Sequence, residues 1–173
     1  MREVAFLVCD TLDEAGTIAV LGGGGAATLY APEAHRTDDL DFILHYTLFS
    51  VDEAPIRALG FVDGRRSGLY RHDDVDFTLE FLNGPLDVDG ENLDAFDTLA
   101  EGGKKLHIIS AYDCARDRLA AATHWSDPNS ARQAAKIAQA QGLDVEALKN
   151  WLIGKHGVRG SAAFSMFEFY YGS

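Results

Sequence analysis

The sequence contains little cysteine and no long apolar run. Among its 173 residues there are only two cysteines, Cys9 and Cys114, which lie far apart and outside any CxxC or Cys/His cluster. A disulfide framework and a zinc site are therefore not expected. No window approaches the roughly 18 apolar residues of a membrane span. The first residues are acidic rather than basic and lack a cleavage-like site, so a secretory signal is not expected. We therefore expect a cytoplasmic protein.

Positive charge is also scarce. The chain has 15 lysines and arginines against 27 aspartates and glutamates, which gives a formal net charge of -12. The acidic residues are scattered along the chain rather than gathered in a tail. A surface of this sign repels a polyphosphate backbone, so nucleic-acid binding is not expected, whereas a small nucleotide that arrives with Mg²⁺ remains compatible.

What the sequence does contain is an alternation of helix and strand patterns, and it predicts an α/β (α+β) domain with a mixed, twisted sheet. In chain order we expect a helix over 2–16, a strand over 18–21, a glycine turn with a helix that ends near Pro32, a strand over 39–46, a short helix over 52–59, and strands near 61–62, 69–72 and 75–82. Residues 83–104 are turn-rich and acidic, and we expect a loop there with one short helical or extended piece.

The C-terminal third has the signals of helices. A strand over 106–109 precedes a helix from Ser110 to about Trp125, with a capping-box pattern at its start, and further helices begin after Asp127 and Asp144. An aromatic tail from Phe164 to Tyr171 follows, and it belongs either to the core or to an interface. We therefore expect residues 1–109 to form the α/β core and residues 110–173 to form a helical part that packs on it as a single compact unit.

Four glycines, residues 22–25, follow the first strand at a helix start. Glycine lets backbone N–H groups approach phosphate oxygens closely, and the helix dipole favours an anion at that end. Close packing alone also accounts for such a run. The spacing is neither that of a Rossmann GxGxxG motif nor that of a P-loop.

Asp39 and Asp41 are the stronger signal. Two residues apart on a strand, both carboxylates project to one side and are able to hold divalent cations between them. The competing interpretation is a solvated strand face. The pair lies on an otherwise apolar strand, after the glycines and directly after Arg36 and Thr37, and this combination favours a metal site.

A metal-dependent phosphoryl or nucleotidyl transfer site needs a third carboxylate. Glu80 and Asp76 are the candidates, since they share one face of a nearby predicted strand. We favour Glu80, which lies between Leu79 and Phe81, while a solvent-facing row accounts equally well for Asp76. No histidine spacing predicts a histidine-based metal site.

Arg118 is the basic candidate. On the helix from Ser110 it is in register with Ala111, Ala115, Ala122 and Trp125, which form the small, apolar stripe. A cation on that face either binds phosphate or pairs with a buried carboxylate. The neighbouring residues Asp113, Arg116 and Asp117 are expected on other faces, as solvated or capping side chains.

With these motifs the chain resembles the nucleotidyltransferase superfamily of the polymerase-beta type, especially small bacterial members related to abortive-infection nucleotidyltransferases. The family pattern is a strand ending in Gly-Gly, a helix, Arg-x-Thr-x-Asp-hydrophobic-Asp, and a later strand with a third carboxylate. Gly23 and Gly24 match the glycine pair. The central motif is matched by Arg36, Thr37, Asp39 and Asp41, and Glu80 takes the third position.

The resemblance implies a nucleotidyltransferase-like fold and a Mg²⁺- or Mn²⁺-dependent transfer of a nucleoside monophosphate from a nucleoside triphosphate to a hydroxyl acceptor. It implies that Asp39, Asp41 and Glu80 bind metal and carry catalysis, and that Gly23, Gly24, Arg36, Thr37 and Arg118 bind the nucleotide. The alternative is a catalytically inactive protein of the same fold that binds a protein partner, such as one component of a toxin–antitoxin pair.

Overall fold

The computed structural model describes residues 1–34, 37–45, 52–66 and 68–173. These residues form two compact units. The first consists of Met1–Gly25 and Thr37–Ile109, and the second consists of Ala26–Arg36 and Ser110–Ser173. The predicted packing of a C-terminal part on an N-terminal core stays a prediction.

The first unit is built around a mixed sheet of seven strands. Its elements are the helices α1 (Arg2–Glu14) and α3 (Glu53–Ala58), the start of α2 (Gly23–Tyr30), and the strands β1 (Ala19–Leu21), β2 (Asp39–Leu44), β3 (Val62–Asp63), β4 (Leu69–Arg71), β5 (Thr78–Asn83), β6 (Asp87–Val88), β7 (Glu91–Asn92), β8 (Asp97–Glu101) and β9 (Lys104–Ile108). The order across the sheet is β3-β4-β5-β2-β1-β9-β8, while β6 and β7 form a separate hairpin. The mixed α/β architecture predicted from the sequence is confirmed.

The central strands of the sheet pair so that their apolar side chains lie on a common face. β2 is antiparallel to β1 and parallel to β5, and β1 is parallel to β9. One face of β2 and β5 is apolar and buried, with Phe42 and Phe81 stacked at 5.7 Å between ring centroids. The same alternation places the acidic residues of both strands, Asp39, Asp41 and Glu80, on the other face.

Two parts of this unit differ from the sequence prediction. The helix α2 begins at Gly23, so glycines occupy its first turn rather than a separate turn before it. Residues 83–104 contain three strands, β6, β7 and β8, instead of one short piece in a loop. The residues of β8 are mostly exposed, so this edge strand has no apolar face to reveal it in the sequence.

The second unit is helical and contains α4 (Ala111–Trp125), α5 (Pro128–Gln141) and α6 (Val145–Tyr171), together with most of α2. The predicted caps are confirmed, because the side chains of Ser110, Asp127 and Asp144 accept hydrogen bonds from backbone N–H groups in the first turns. The aromatic tail is the C-terminal half of α6, where Phe164 and Phe167 are buried and stacked while Phe169 is 71% exposed.

Two side chains of α4 contradict the predicted faces of this helix. Trp125 is 81% exposed, although the stripe placed it inward. Arg116 is buried, although it was expected in solvent: it pairs with Asp113 at 2.9 Å and lies 4.4 Å above the Trp151 ring. The stacking on Trp151, which is distant in the sequence, accounts for this burial.

A separate finding concerns the helices as a group: within the described ranges, none is both long enough and apolar enough to cross a membrane.

We expect Gly157→Ala to destabilise the protein by about 1–3 kcal/mol, measured by chemical denaturation. Gly157 interrupts α6 with φ 55° and ψ -126°, a region that residues with a Cβ avoid. The matched control is Gly154→Ala three residues earlier, which is exposed and within regular helix, and which we expect to stabilise by about 0.4–1 kcal/mol. Equal effects of the two substitutions would contradict a conformational role for Gly157.

Asp13→Asn should reduce stability at neutral pH and have less effect in acid. The Lys105 ammonium at 2.9 Å and the His107 ring at 3.3 Å hold the pKa of Asp13 below its usual value. A lowered folded-state pKa contributes stability that is present above the unfolded pKa and is lost as the pH falls through the folded one. We expect a loss of about 1 kcal/mol at pH 7 that shrinks below about pH 4, measured by urea unfolding across pH. The exposed neighbour Glu14→Gln is the control, and an equal loss at every pH would refute the linkage.

Candidate functional site

Asp39 and Asp41 lie on one face of β2. Burial alternates along this strand, with Leu40, Phe42 and Leu44 buried and the residues between them half-buried. The apolar side chains pack into the core, and this packing turns both carboxylates to the opposite face. The two aspartates therefore share a partly sheltered surface at the start of β2.

Glu80 lies on the neighbouring strand β5, directly beside Asp41. The parallel register pairs Asp41 with Glu80 and Asp39 with Thr78, and registered residues of adjacent strands project from the same face. The Glu80 side chain is only 19% exposed. Asp76, the other candidate for the third carboxylate, lies before the strand begins and is exposed. The register thus brings Asp39, Asp41 and Glu80 to one face and leaves Asp76 outside β5.

Gly23 and Asp41 approach so closely that a Cβ on Gly23 would force the Asp41 carboxylate to move. A Cβ on Gly23 would lie 2.5 Å from Asp41 Oδ2, and the φ of Gly23 is +56°. The Gly22 N–H also donates to the Asp41 carbonyl at 2.9 Å. The Asp41 carboxylate is therefore held against the N-terminus of α2, where the partial positive charge of the helix favours an anion. Gly23 and Gly24 form the first positions of that helix.

Thr37 orients the first aspartate. Thr37 is 8% exposed, and its hydroxyl donates to Asp39 Oδ1 at 2.8 Å. This bond restricts the rotation of the carboxylate, which remains able to accept further bonds. Arg36, the first residue of the same predicted motif, lies outside the described residues.

The partner of Glu80 is one that the sequence did not predict. Arg66, on the turn between β3 and β4, donates to Glu80 Oε2 at 2.5 Å. The signal available in the sequence was weak, since Arg65 and Arg66 follow an Asp-Gly turn and turns are commonly charged. Through this ion pair, Arg66 lies next to one of the three carboxylates of the candidate site, that of Glu80.

Arg118 lies in the second compact unit, on α4. Its side chain is 18% exposed and pairs with Asp117, with Nε at 3.0 Å from Asp117 Oδ2. Pairing with a carboxylate was one of the two predicted alternatives. A role of Arg118 toward phosphate stays a prediction.

The three carboxylates suit a hard divalent cation. Mg²⁺ and Mn²⁺ take oxygen ligands, and Asp39, Asp41 and Glu80 present carboxylate oxygens from one partly buried face. Because Asp39, Asp41 and Glu80 are half-buried on one face, a cation bound there would offset the repulsion between their negative charges. The residues present therefore fit a divalent metal ion.

The mixed sheet and its helices form a fold that other proteins share. Solved structures match it: an antigenic nucleotidyltransferase-like protein from Paracoccidioides brasiliensis has a TM-score of 0.61 at 16% identity, over 94% of this chain and 91% of that one. The chain thus has the nucleotidyltransferase fold, as the sequence predicted.

The antibiotic-resistance factor ANT(2")-Ia is similar as well. Its crystal structure in complex with adenylyl-2"-tobramycin has a TM-score of 0.57 at 15% identity, with 95% of this chain and 97% of that chain covered. Its solution structure gives a TM-score of 0.57 at 14% identity, with 97% and 95% covered. At these identities the likeness concerns the fold. No protein-family model matches the sequence, and a search of curated proteins finds no match either.

We expect Gly23→Ala to displace the Asp41 carboxylate, because the added methyl group would overlap Asp41 Oδ2. Gly16→Ala is the control, since Gly16 also has a positive φ of +81° but nothing lies within 4 Å of its Cβ position. Both substitutions should lower the free energy of unfolding by about 1 kcal/mol through backbone strain, and Gly23→Ala by a further 1–3 kcal/mol or so. The measurements are urea unfolding and the NMR resonance of the Asp41 carboxyl carbon. An unchanged Asp41 resonance in Gly23→Ala would contradict the close contact.

Proposed function

We propose that this protein is a nucleotidyltransferase that moves a nucleoside monophosphate from a nucleoside triphosphate to a hydroxyl acceptor. The observation that carries the proposal is the register of β2 and β5, which sets Glu80 beside Asp41 on the face that also bears Asp39. The acceptor oxygen bonds to the α-phosphorus, the bond to the pyrophosphate oxygen breaks, and pyrophosphate leaves. The acceptor hydroxyl gives up its proton.

Asp39 and Asp41 would hold the metal, and Glu80 would complete its ligands or accept the proton of the acceptor hydroxyl. A metal held there would supply positive charge against the phosphates. Thr37 fixes the Asp39 carboxylate through its hydroxyl, and the close fit to Gly23 fixes that of Asp41. Both carboxylates are thus oriented before any ligand arrives, which reduces the cost of arranging them.

Gly23 and Gly24 would bind the phosphates through the N-terminus of α2, which carries partial positive charge. Arg36 would also bind the nucleotide, and Arg118 would neutralise the triphosphate tail. The adenylyl-2"-tobramycin in the ANT(2")-Ia complex indicates that an antibiotic hydroxyl is one acceptor class to test. A protein side chain and an RNA end are the others, and the net charge of -12 disfavours RNA. We also propose that the protein is cytoplasmic and that it is related to the abortive-infection nucleotidyltransferases.

With Mg²⁺ present, the purified protein should release pyrophosphate from a nucleoside triphosphate in the presence of a suitable acceptor. The assay crosses each ribonucleoside triphosphate with an aminoglycoside, a Ser/Tyr peptide and an RNA 3′ end, and mass spectrometry detects the added nucleoside monophosphate. Asp39→Asn and Asp41→Asn should each lower the rate more than about 100-fold, because each removes a charged ligand oxygen. Chelation of the metal should abolish the reaction.

The matched control is Asp38→Asn, which changes an exposed acid one residue before Asp39 and should alter the rate by less than about two-fold. Equal losses in Asp38→Asn and Asp39→Asn would show a general charge effect instead of a site. If the wild-type protein neither binds metal-nucleotide nor releases pyrophosphate, the enzyme proposal is wrong. The inactive interaction protein would then stand, and Asp39→Asn and Asp41→Asn would leave its binding to a basic protein partner intact.

A further inference from the structure

An arginine reaches into the cluster of carboxylates from the β3–β4 turn. The Arg66 side chain is 66% exposed, whereas that of Glu80, to which it donates, is 19% exposed. One end of this ion pair therefore lies in solvent and the other is part of the candidate metal site. A cation in this position occupies the carboxylate that a metal would use.

The geometry of the turn places Arg66 there. β4 is antiparallel to β5, and Leu69 is the register partner of Glu80. The Gly64 N–H donates to the Leu69 carbonyl at 2.7 Å, and the Leu69 N–H donates to the Arg66 carbonyl at 3.3 Å. These bonds close the turn directly beside Glu80, so Arg66, three residues before Leu69, extends over that carboxylate.

A guanidinium and a divalent cation compete for the same oxygens. While Arg66 is bound, one of the negative charges that would attract the metal is already neutralised. Because Arg66 is 66% exposed, its guanidinium returns to water when it leaves Glu80. The Glu80 carboxylate, which is 19% exposed, would then be neutralised by the metal in place of Arg66. Displacement of Arg66 is therefore an available step, and it opposes metal binding.

We infer that Arg66 is a displaceable counter-cation of Glu80: it neutralises the third carboxylate in the metal-free protein, gives way when a divalent cation binds, and so lowers the affinity of the site for metal. This inference rests on the proposed function to the extent that Asp39, Asp41 and Glu80 hold the metal. It adds a residue that sets the metal concentration at which the site fills.

The test is a calorimetric titration of the full-length protein with Mn²⁺ in the absence of nucleotide. Arg66→Gln should bind Mn²⁺ about three- to five-fold more tightly than wild type, because the competing cation is gone. Arg66→Lys keeps a positive charge at the position and should stay closer to wild type. Arg65→Gln, one residue earlier and also exposed, removes the same charge without touching Glu80 and should change the affinity by less than about two-fold.

Asp41→Asn separates failure of this inference from failure of the proposed site. One outcome overturns the inference but leaves the metal site standing: Asp41→Asn weakens Mn²⁺ binding, while Arg66→Gln does not tighten it more than Arg65→Gln does. Weaker Mn²⁺ binding in Arg66→Gln than in the wild type has the same meaning. In either case Arg66 does not compete with the metal. If Mn²⁺ binding is absent or indifferent to Asp41→Asn, both the metal site and the inference are overturned. Tighter binding in Arg66→Gln alone, lost again in the Arg66→Gln/Asp41→Asn double variant, supports it.

Discussion

The parallel pairing of β2 with β5 is the constraint on which the candidate site depends. A slip of one residue would turn Glu80 to the opposite face and separate it from Asp41. What prevents that slip lies on the other side of the sheet, where Phe42 and Phe81 are register partners with stacked rings. The burial of these two rings therefore determines where the acids on the opposite face stand. Core packing and site geometry are two consequences of a single register.

A second constraint comes from what is missing at Gly23. The carboxylate of Asp41 occupies the volume that a side chain at this position would fill, so glycine at the start of α2 allows the carboxylate to keep its position. The sequence suggested close phosphate binding or close packing as alternative reasons for the glycine run. The structure shows that close packing is present at Gly23 and that it is packing against an acid of the candidate site. The two explanations are thus not exclusive at this residue.

Much of this arrangement could be predicted because it depends on local patterns. The alternation of acidic and apolar residues along β2 and β5 indicated their faces, and Ser110, Asp127 and Asp144 marked helix starts by their capping chemistry. Contacts between distant residues left no such signal. The stacking of Arg116 on Trp151 reversed the predicted exposure of that arginine, since a charged residue has no local mark of burial. The Arg66–Glu80 pair likewise depends on which strands become neighbours.

The strand β8, which the sequence did not predict, also affects whether the sheet can pair with a second copy of the chain. The edge strand of a sheet has unpaired backbone N–H and C=O groups that can hydrogen-bond to a strand of another molecule. Such pairing is a common route to aggregation. Here one edge, β3, is only two residues long, and the other, β8, begins and ends with the exposed acids Asp97 and Glu101. A strand from a second copy of this acidic chain would be repelled by the like charges of β8. At β3 it would find only two residues with which to pair. The polar composition that concealed β8 in the sequence thus protects the sheet against adding strands from another copy.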